Sequence, residues 1–188
     1  ANIYLPKALP LTELPQERMQ WVLGMYGEGD FFTMKGVIEE FFEAVGMNGR
    51  VHYDPKADHP YLHPGRKADI IYEGVTVGYL GEIHPDVADQ YKIGEKAYVG
   101  VIDMPALIPL TTFDRKYTGL AKFPAVSRDL SMVVPKEILA GQIEDMIVQR
   151  SGKILESCQL FDIYEGSQIA EGFKSMAYSI TFRAKDHT

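Results

Sequence analysis

The alternation of side chains from Lys174 to Arg183 constrains the fold more than any other feature of this sequence. Large apolar residues occupy every second position, and small or polar residues stand between them; the apolar set is Met176, Tyr178, Ile180 and Phe182, and the other set is Ser175, Ala177, Ser179, Thr181 and Arg183. Because successive side chains of a strand point to opposite faces, the pattern predicts a strand with one buried face. The chain is therefore expected to contain a sheet covered on one side.

A partner strand is predicted in KFPAVSRDLSMVV, residues 122–134, where Phe123-Pro124 sets a turn and an apolar run follows. Arg128 falls on the same face as the apolar residues of this run. We expect either a bulge that turns Arg128 outward or a partly buried ion pair with a nearby acid.

The elements between these strands complete a small α+β unit. Apolar spacing predicts a helix over 140–151 and a strand over 154–164. The resulting order is strand, helix, strand, strand. A split β-α-β fold needs one more helix and one more strand, so we expect the chain to be a piece of a longer protein.

The first half of the chain has a different pattern. Residues 31–45 carry apolar side chains at helical spacing, with Asp30 as the predicted N-cap and Gly46 as the stop. Three prolines predict an extended connector in residues 1–18, and a strand is predicted over Met19–Tyr26. The short apolar runs that follow predict an antiparallel sheet.

Charge and proline content predict two domains joined by a linker, with bounds at 1–111, 112–120 and 121–188. Residues 1–111 carry nine basic and sixteen acidic residues, whereas 112–188 carry ten of each. Nucleic-acid-binding modules usually present a basic face. The acidic first half is thus a poor candidate for an independent RNA binder, while the neutral second half permits a local basic face.

No apolar run approaches the roughly 18 residues that cross a bilayer, so no membrane partner is predicted. The single cysteine, Cys158, allows no internal disulfide, which fits a cytoplasmic protein.

One group of residues has metal-ligand chemistry: His59, His63, Glu82 and His84. Imidazoles and a carboxylate can bind zinc or iron. However, the first two histidines flank prolines in a predicted loop, and no His-Glu-x-x-His run occurs. We favour turn and hydrogen-bonding histidines over a metal site. Phosphate-binding and nucleophile motifs are absent from the sequence, so no catalytic residue is predicted.

Several segments resemble one known family. KFPAVSRDLSMVV, LFDIYEG and KSMAYSITFRAKDHT resemble the ferredoxin-fold anticodon-binding domain of the bacterial phenylalanyl-tRNA synthetase β subunit. DFFTMKGVIEEFFEAVG, HPGRKADI and VGYLGEIHPDV are similar to the synthetase-like domain that precedes it. The resemblance covers roughly residues 30–188, with both parts in the family's order.

The resemblance implies an α+β chain. A class II synthetase-like antiparallel domain without catalytic residues would be followed by a ferredoxin-like split β-α-β domain that lacks its last helix and strand. In this family the α subunit holds the active site and binds ATP and phenylalanine, and the enzyme is an α2β2 heterotetramer. The family's β-chain magnesium and editing sites lie upstream of the segments found here. ATP and Mg are therefore expected in the whole enzyme, and no cofactor is expected in this chain.

For tRNA(Phe), the resemblance points to the open sheet face and its rim. The polar side of the 174–183 strand has no aromatic residue, so we expect contacts through phosphate charge and shape more than through base stacking, supplied by Lys122, Arg128, Lys174 and Arg183. Two alternatives stay open. One is a free-standing RNA- or protein-interaction module, and the other is a small metalloenzyme that uses His63, Glu82 and His84.

Overall fold

Two units make up the computed structural model of the chain, one over residues 1–116 and the other over residues 117–188. The structure describes residues 1–47, 49–114, 117 and 119–184. Within these residues, no helix combines the length and the hydropathy needed to cross a membrane. The linker predicted at 112–120 stays a prediction.

The first unit is built on a six-stranded antiparallel sheet with the order β1-β2-β6-β5-β4-β3. Its strands are β1 (Asn2–Leu5), β2 (Gln16–Tyr26), β3 (Val51–Asp54), β4 (Leu62–Tyr72), β5 (Val75–Ile83) and β6 (Ala97–Asp103). Its helices are α1 (Phe31–Ala44) and the short α2 (Pro85–Gln90) and α3 (Met104–Leu107). The predicted antiparallel sheet with one long helix is confirmed.

The helix α1 covers one face of this sheet. Asp30 caps it, since its Oδ1 accepts a hydrogen bond from the Thr33 N–H at 2.8 Å. Met34, Ile38 and Phe42 are buried in the core against the sheet. The predicted helix, its cap and its apolar stripe are therefore confirmed.

Two predictions about strands in this unit are wrong. Residues 1–18 are not all connector, because β1 pairs with β2 and β2 begins at Gln16. The loop predicted around His59 and His63 ends at Tyr61, because β4 begins at Leu62 and includes His63. The register of β4 shifts between Leu62 and Lys67, and such an irregularity accommodates a proline that cannot donate to the ladder.

The second unit is a three-stranded antiparallel sheet with the order β7-β9-β8 and one helix. Its elements are β7 (Val126–Pro135), α4 (Ala140–Ser151), β8 (Leu155–Tyr164) and β9 (Phe173–Phe182). Ile143 of α4 packs with Met176, Tyr178 and Ile180 of β9. The predicted strand-helix-strand-strand order and the α+β class are confirmed.

Arg128 departs from both expectations. β7 pairs with β9 residue for residue from Val126 to Pro135, so no bulge turns the side chain. Arg128 is exposed and donates from Nη1 to the Ser127 carbonyl at 3.0 Å. Arg128 is exposed because α4 packs chiefly against β8 and leaves this end of β7 in solvent.

Replacing Gly36 with alanine is expected to stabilise the first unit by about 0.5–1 kcal/mol, because alanine loses less conformational entropy in a helix than glycine. Gly36 lies exposed inside α1, and a Cβ built there meets no atom within 4 Å. Thermal unfolding should show a higher midpoint. An unchanged or lower midpoint would contradict the open space seen at this position.

Candidate nucleic-acid interface

The sheet of the second unit has an uncovered face opposite α4, which we call the open face. Cross-strand partners share a face, so the register identifies its members: Ser127, Asp129, Ser131 and Val133 of β7, Ser175, Ala177, Ser179 and Thr181 of β9, and Ser157, Gln159, Asp162 and Tyr164 of β8. The predicted separation of the two sets of β9 side chains is confirmed.

Hydroxyl groups form the floor of the open face. Ser127 Oγ lies 3.1 Å from Thr181 Oγ1, and Ser131 Oγ lies 3.4 Å from Ser175 Oγ. A hydroxyl can donate one hydrogen bond and accept others. The floor is therefore shallow, free of bulky side chains along β9, and able to bond with polar groups laid across it.

Tyr164 and Asp162 stand on the open face, and neither was predicted from the sequence as part of the interface. Tyr164 lies opposite Ser175 and is 41% exposed, and Asp162 lies opposite Ala177. The register shifts between Leu160 and Asp162, so one extra residue reverses the alternation of β8 beyond that point. The aromatic residue in LFDIYEG is the available sequence signal, but simple alternation assigns it to the covered face.

The four predicted cations do not converge. Lys122 is exposed in the turn before β7. Arg128 and Lys174 belong to the face that carries α4, because they alternate with the open-face residues. Arg128 pairs with Ile180, six residues along β9 from Lys174, which corresponds to about 20 Å.

Arg183 is engaged with its own unit. Its Nη1 donates to the Phe123 carbonyl at 2.7 Å, and its Nε donates to Glu156 Oε2 at 2.9 Å. Its backbone N–H also donates to the Ile154 carbonyl at 2.8 Å. The side chain thus joins the end of β9 to the turn before β7 and to the start of β8.

A further cation lies near the Tyr164 end of the sheet. Lys136 Nζ is 2.7 Å from Glu165 Oε2. The hydrogen bond from Lys136, together with the charges of Lys136 and Lys174, holds the pKa of the Glu165 carboxyl below its ordinary value. The cation at this end is therefore paired with a carboxylate, and Asp129 and Asp162 add negative charge on the open face itself.

The histidines of the first unit serve local roles. His59 Nε2 lies 2.9 Å from Asp69 Oδ1, and the His59 ring stacks on Tyr79 at 3.9 Å. His63 Nδ1 accepts a hydrogen bond from the Gly65 N–H, and His84 Nδ1 accepts one from the Asp86 N–H at the start of α2. These contacts favour the interpretation in which the histidines form turns and hydrogen bonds over the one in which they bind a metal ion.

Glu82 lies on the other face of the sheet from Tyr79, the face that α1 covers. Arg66 Nη1 donates to both of its carboxylate oxygens at 2.9 and 2.8 Å, and the Tyr98 hydroxyl donates to Oε2 at 3.1 Å. In the described part of the chain, no group of three or more His, Cys, Asp or Glu side chains is placed to hold a metal ion. The metalloenzyme hypothesis therefore has no geometric support.

Comparisons with known proteins agree with the division into two units. Residues 1–104 match the family model described as the phenylalanyl tRNA synthetase beta chain CLM domain, and residues 121–188 match the ferredoxin-fold anticodon binding domain. The phenylalanine–tRNA ligase beta subunit of Clostridium acetobutylicum is 42% identical over 187 residues, and that of Clostridium tetani is 43% identical over 187 residues. The same subunit of Lactiplantibacillus plantarum is 37% identical over 159 residues.

These alignments cover 100% of this chain for both Clostridium proteins and 85% for the Lactiplantibacillus protein. They cover 23%, 23% and 20% of the relatives, so the chain spans about a quarter of their length. A family model that matches more than half of the chain, together with these identities, shows its membership. The chain belongs to the phenylalanyl-tRNA synthetase β chain family.

Proposed function

We propose that this chain is the tRNA-binding and scaffold part of a phenylalanine–tRNA ligase β subunit. Its open face binds the anticodon region of tRNA(Phe), and its first unit packs against the catalytic α subunit of an α2β2 enzyme in the cytoplasm. The observation that carries the proposal is Tyr164, an exposed aromatic residue beside a hydroxyl floor, in the unit that matches an anticodon-binding family.

The open face suits unpaired bases. Single-stranded RNA is commonly bound by stacking of a base on an aromatic ring, with hydrogen bonds to the base edges. The Tyr164 ring offers the stacking surface, and the hydroxyls of Ser131 and Ser175 lie in the neighbouring positions. A base stacked on Tyr164 would have these polar groups beside it.

The carboxylates orient the RNA. Asp129 and Asp162 repel phosphates from the open face, whereas a carboxylate accepts hydrogen bonds from base N–H groups. The bases are therefore expected to face the sheet while the phosphates follow the rim. Of the four cations predicted to contact phosphate, we propose the exposed Lys122, because it lies just before the Ser127 end of β7. Arg128 and Lys174 belong to the opposite face, and Arg183 is engaged with Phe123 and Glu156.

The first unit supplies a surface for a protein partner. Phe32 is 72% exposed and Val37 is 45% exposed on the outer side of α1. The two side chains lie on opposite borders of the buried stripe of α1, and large exposed apolar side chains are candidates for burial by a partner. They favour the α subunit as a partner over a free-standing module. We assign ATP and Mg²⁺ to the rest of the enzyme.

Replacing Tyr164 with alanine is expected to weaken tRNA(Phe) binding by roughly tenfold, because stacking contributes about 1–3 kcal/mol per base. Phenylalanine at this position retains the ring and should bind within about twofold of the wild type. The measurement is a titration of fluorescently labelled tRNA(Phe) at several salt concentrations. Affinity that falls as salt rises and that prefers tRNA(Phe) over another tRNA would support the proposed function.

Tyr91 provides the matched control. It is 76% exposed and belongs to the first unit, so its replacement with alanine should leave tRNA binding unchanged. If the Tyr91 and Tyr164 variants lose affinity equally, Tyr164 has no special role. If the wild-type chain shows no binding at any salt concentration, the proposal reduces to a scaffold for the α subunit.

A further inference from the structure

We propose that Arg183 is a positioning residue, which holds the turn of residues 121–124 so that the Lys122 ammonium stays at the Ser127–Thr181 end of the open face. This inference rests on the proposed function, because it concerns the same RNA interface. It differs from the sequence-based expectation, in which Arg183 itself contacts phosphate.

Arg183 uses its side-chain donors within its own unit. Two of its side-chain nitrogens are committed, Nη1 to the Phe123 carbonyl at 2.7 Å and Nε to Glu156 at 2.9 Å. The side chain is 29% exposed. A guanidinium that already pairs with a carboxylate has its charge largely offset, so it attracts a phosphate weakly. The geometry therefore favours a structural task for this residue.

The turn before β7 depends on Arg183 for its attachment to the sheet. In the part of the chain that the structure describes, the bond from Arg183 to Phe123 is the hydrogen bond that joins residues 119–125 to the sheet. The turn is otherwise exposed, apart from the partly buried Phe123 and Ala125. Loss of this bond would let the turn move and would raise the entropy cost of fixing Lys122 on a phosphate.

Lys122 lies close in sequence to one end of the open face. Val126 pairs with Phe182, and the next pair along the strands is Ser127 with Thr181 on the open face. Lys122 precedes Val126 by four residues, so its Cα lies within about 14 Å of that strand end. With the turn held in place, the exposed ammonium of Lys122 is available to a phosphate at this end of the face.

A double-mutant cycle tests the inference. Fluorescently labelled tRNA(Phe) is titrated over a range of salt concentrations with wild type, Lys122→Ala, Arg183→Ala and the double variant. Lys122→Ala should weaken binding about tenfold and reduce the slope of log K against log salt by roughly 0.7, the value for one phosphate contact on a single strand. Arg183→Ala should produce a similar loss and a similar change of slope.

The double variant distinguishes the two roles. If Arg183 acts through Lys122, the double variant binds no more weakly than the single variants, and its slope falls once. If Arg183 contacts phosphate directly, the losses multiply and the slope falls about twice as far. That outcome would overturn this inference but not the proposed function. Absence of salt-dependent binding by the wild type would overturn the proposed function and the inference together.

Glu156→Gln gives a second test that does not remove Arg183. This variant takes away the charged partner of Nε and leaves the bond to Phe123 available. A positioning role predicts tRNA affinity within about twofold of the wild type, since the turn is still held. A direct phosphate contact predicts tighter binding and a steeper salt slope, because the guanidinium charge is no longer offset.

Discussion

Replacing Gly46 with alanine is expected to lower the free energy of unfolding of the first unit by roughly 4 kcal/mol. Gly46 follows α1 with φ of +79°, and a Cβ built there lies 1.7 Å from the Thr112 carbonyl oxygen. A left-handed backbone costs an L-residue about 1–2 kcal/mol, and overpacking costs about 1–3 kcal/mol. The Thr112 N–H donates to the Val45 carbonyl at 3.2 Å, so the backbone in contact is itself fixed.

Gly74→Ala is the matched control for Gly46→Ala. Gly74 also has φ of +79°, but a Cβ there meets no atom within 4 Å. The free energy of unfolding of the Gly74→Ala variant should therefore fall only by the cost of the left-handed backbone, about 1–2 kcal/mol. The sole tryptophan, Trp21, packs on Phe41 at a centroid distance of 4.2 Å, so its fluorescence during urea unfolding reports on the first unit. Equal losses for the two variants would contradict a steric role for Thr112.

Replacing Glu82 with glutamine is expected to destabilise the first unit by about 2–3 kcal/mol at neutral pH. Glu82 is 5% exposed, and its carboxylate accepts hydrogen bonds from Arg66 and Tyr98. Removal of one partner of a buried ion pair costs about 3–5 kcal/mol. Because Arg66 is partly exposed to water, we expect a loss at or below the lower end of that range. Trp21 fluorescence in urea measures it.

The same residue should give the first unit a pH dependence. Burial alone would raise the pKa of the Glu82 carboxyl, but the hydrogen bonds from Arg66 and Tyr98, with the charges of Arg66 and Lys96, outweigh burial and lower it. A lowered pKa stabilises the folded state above the unfolded-state pKa of about 4.3. That contribution is lost as the pH falls through the folded-state value.

As the pH falls below about 5, the free energy of unfolding of the glutamine variant should therefore decrease less than that of the wild type. Glu13→Gln is the control, because Glu13 pairs with Lys7 at 3.0 Å on the surface and both side chains are more than half exposed. An exposed pair contributes little, so this variant should behave like the wild type. A Glu82→Gln chain with the stability and pH profile of the wild type would show that the ion pair is not stabilising.

Local spacing was sufficient to predict the elements whose faces depend on residues close in the chain. The helix α1 follows from its apolar stripe and the Asp30 cap, and β9 follows from its strict alternation. The family resemblance rested on such segments in order, and the comparisons confirm it. These features are set by contacts between neighbours in sequence, so they could be predicted without knowing which strands pair.

Tertiary structure alone decided the composition of the candidate interface. Tyr164 reached the open face because pairing of β8 with β9 inserts one extra residue after Leu160. Arg183 became a link to Phe123 because the fold brings together residues that are 60 positions apart, and Gly46 became obligatory because Thr112 crosses the end of α1. Each depends on register or on long-range packing, which the spacing of residues within one segment does not encode.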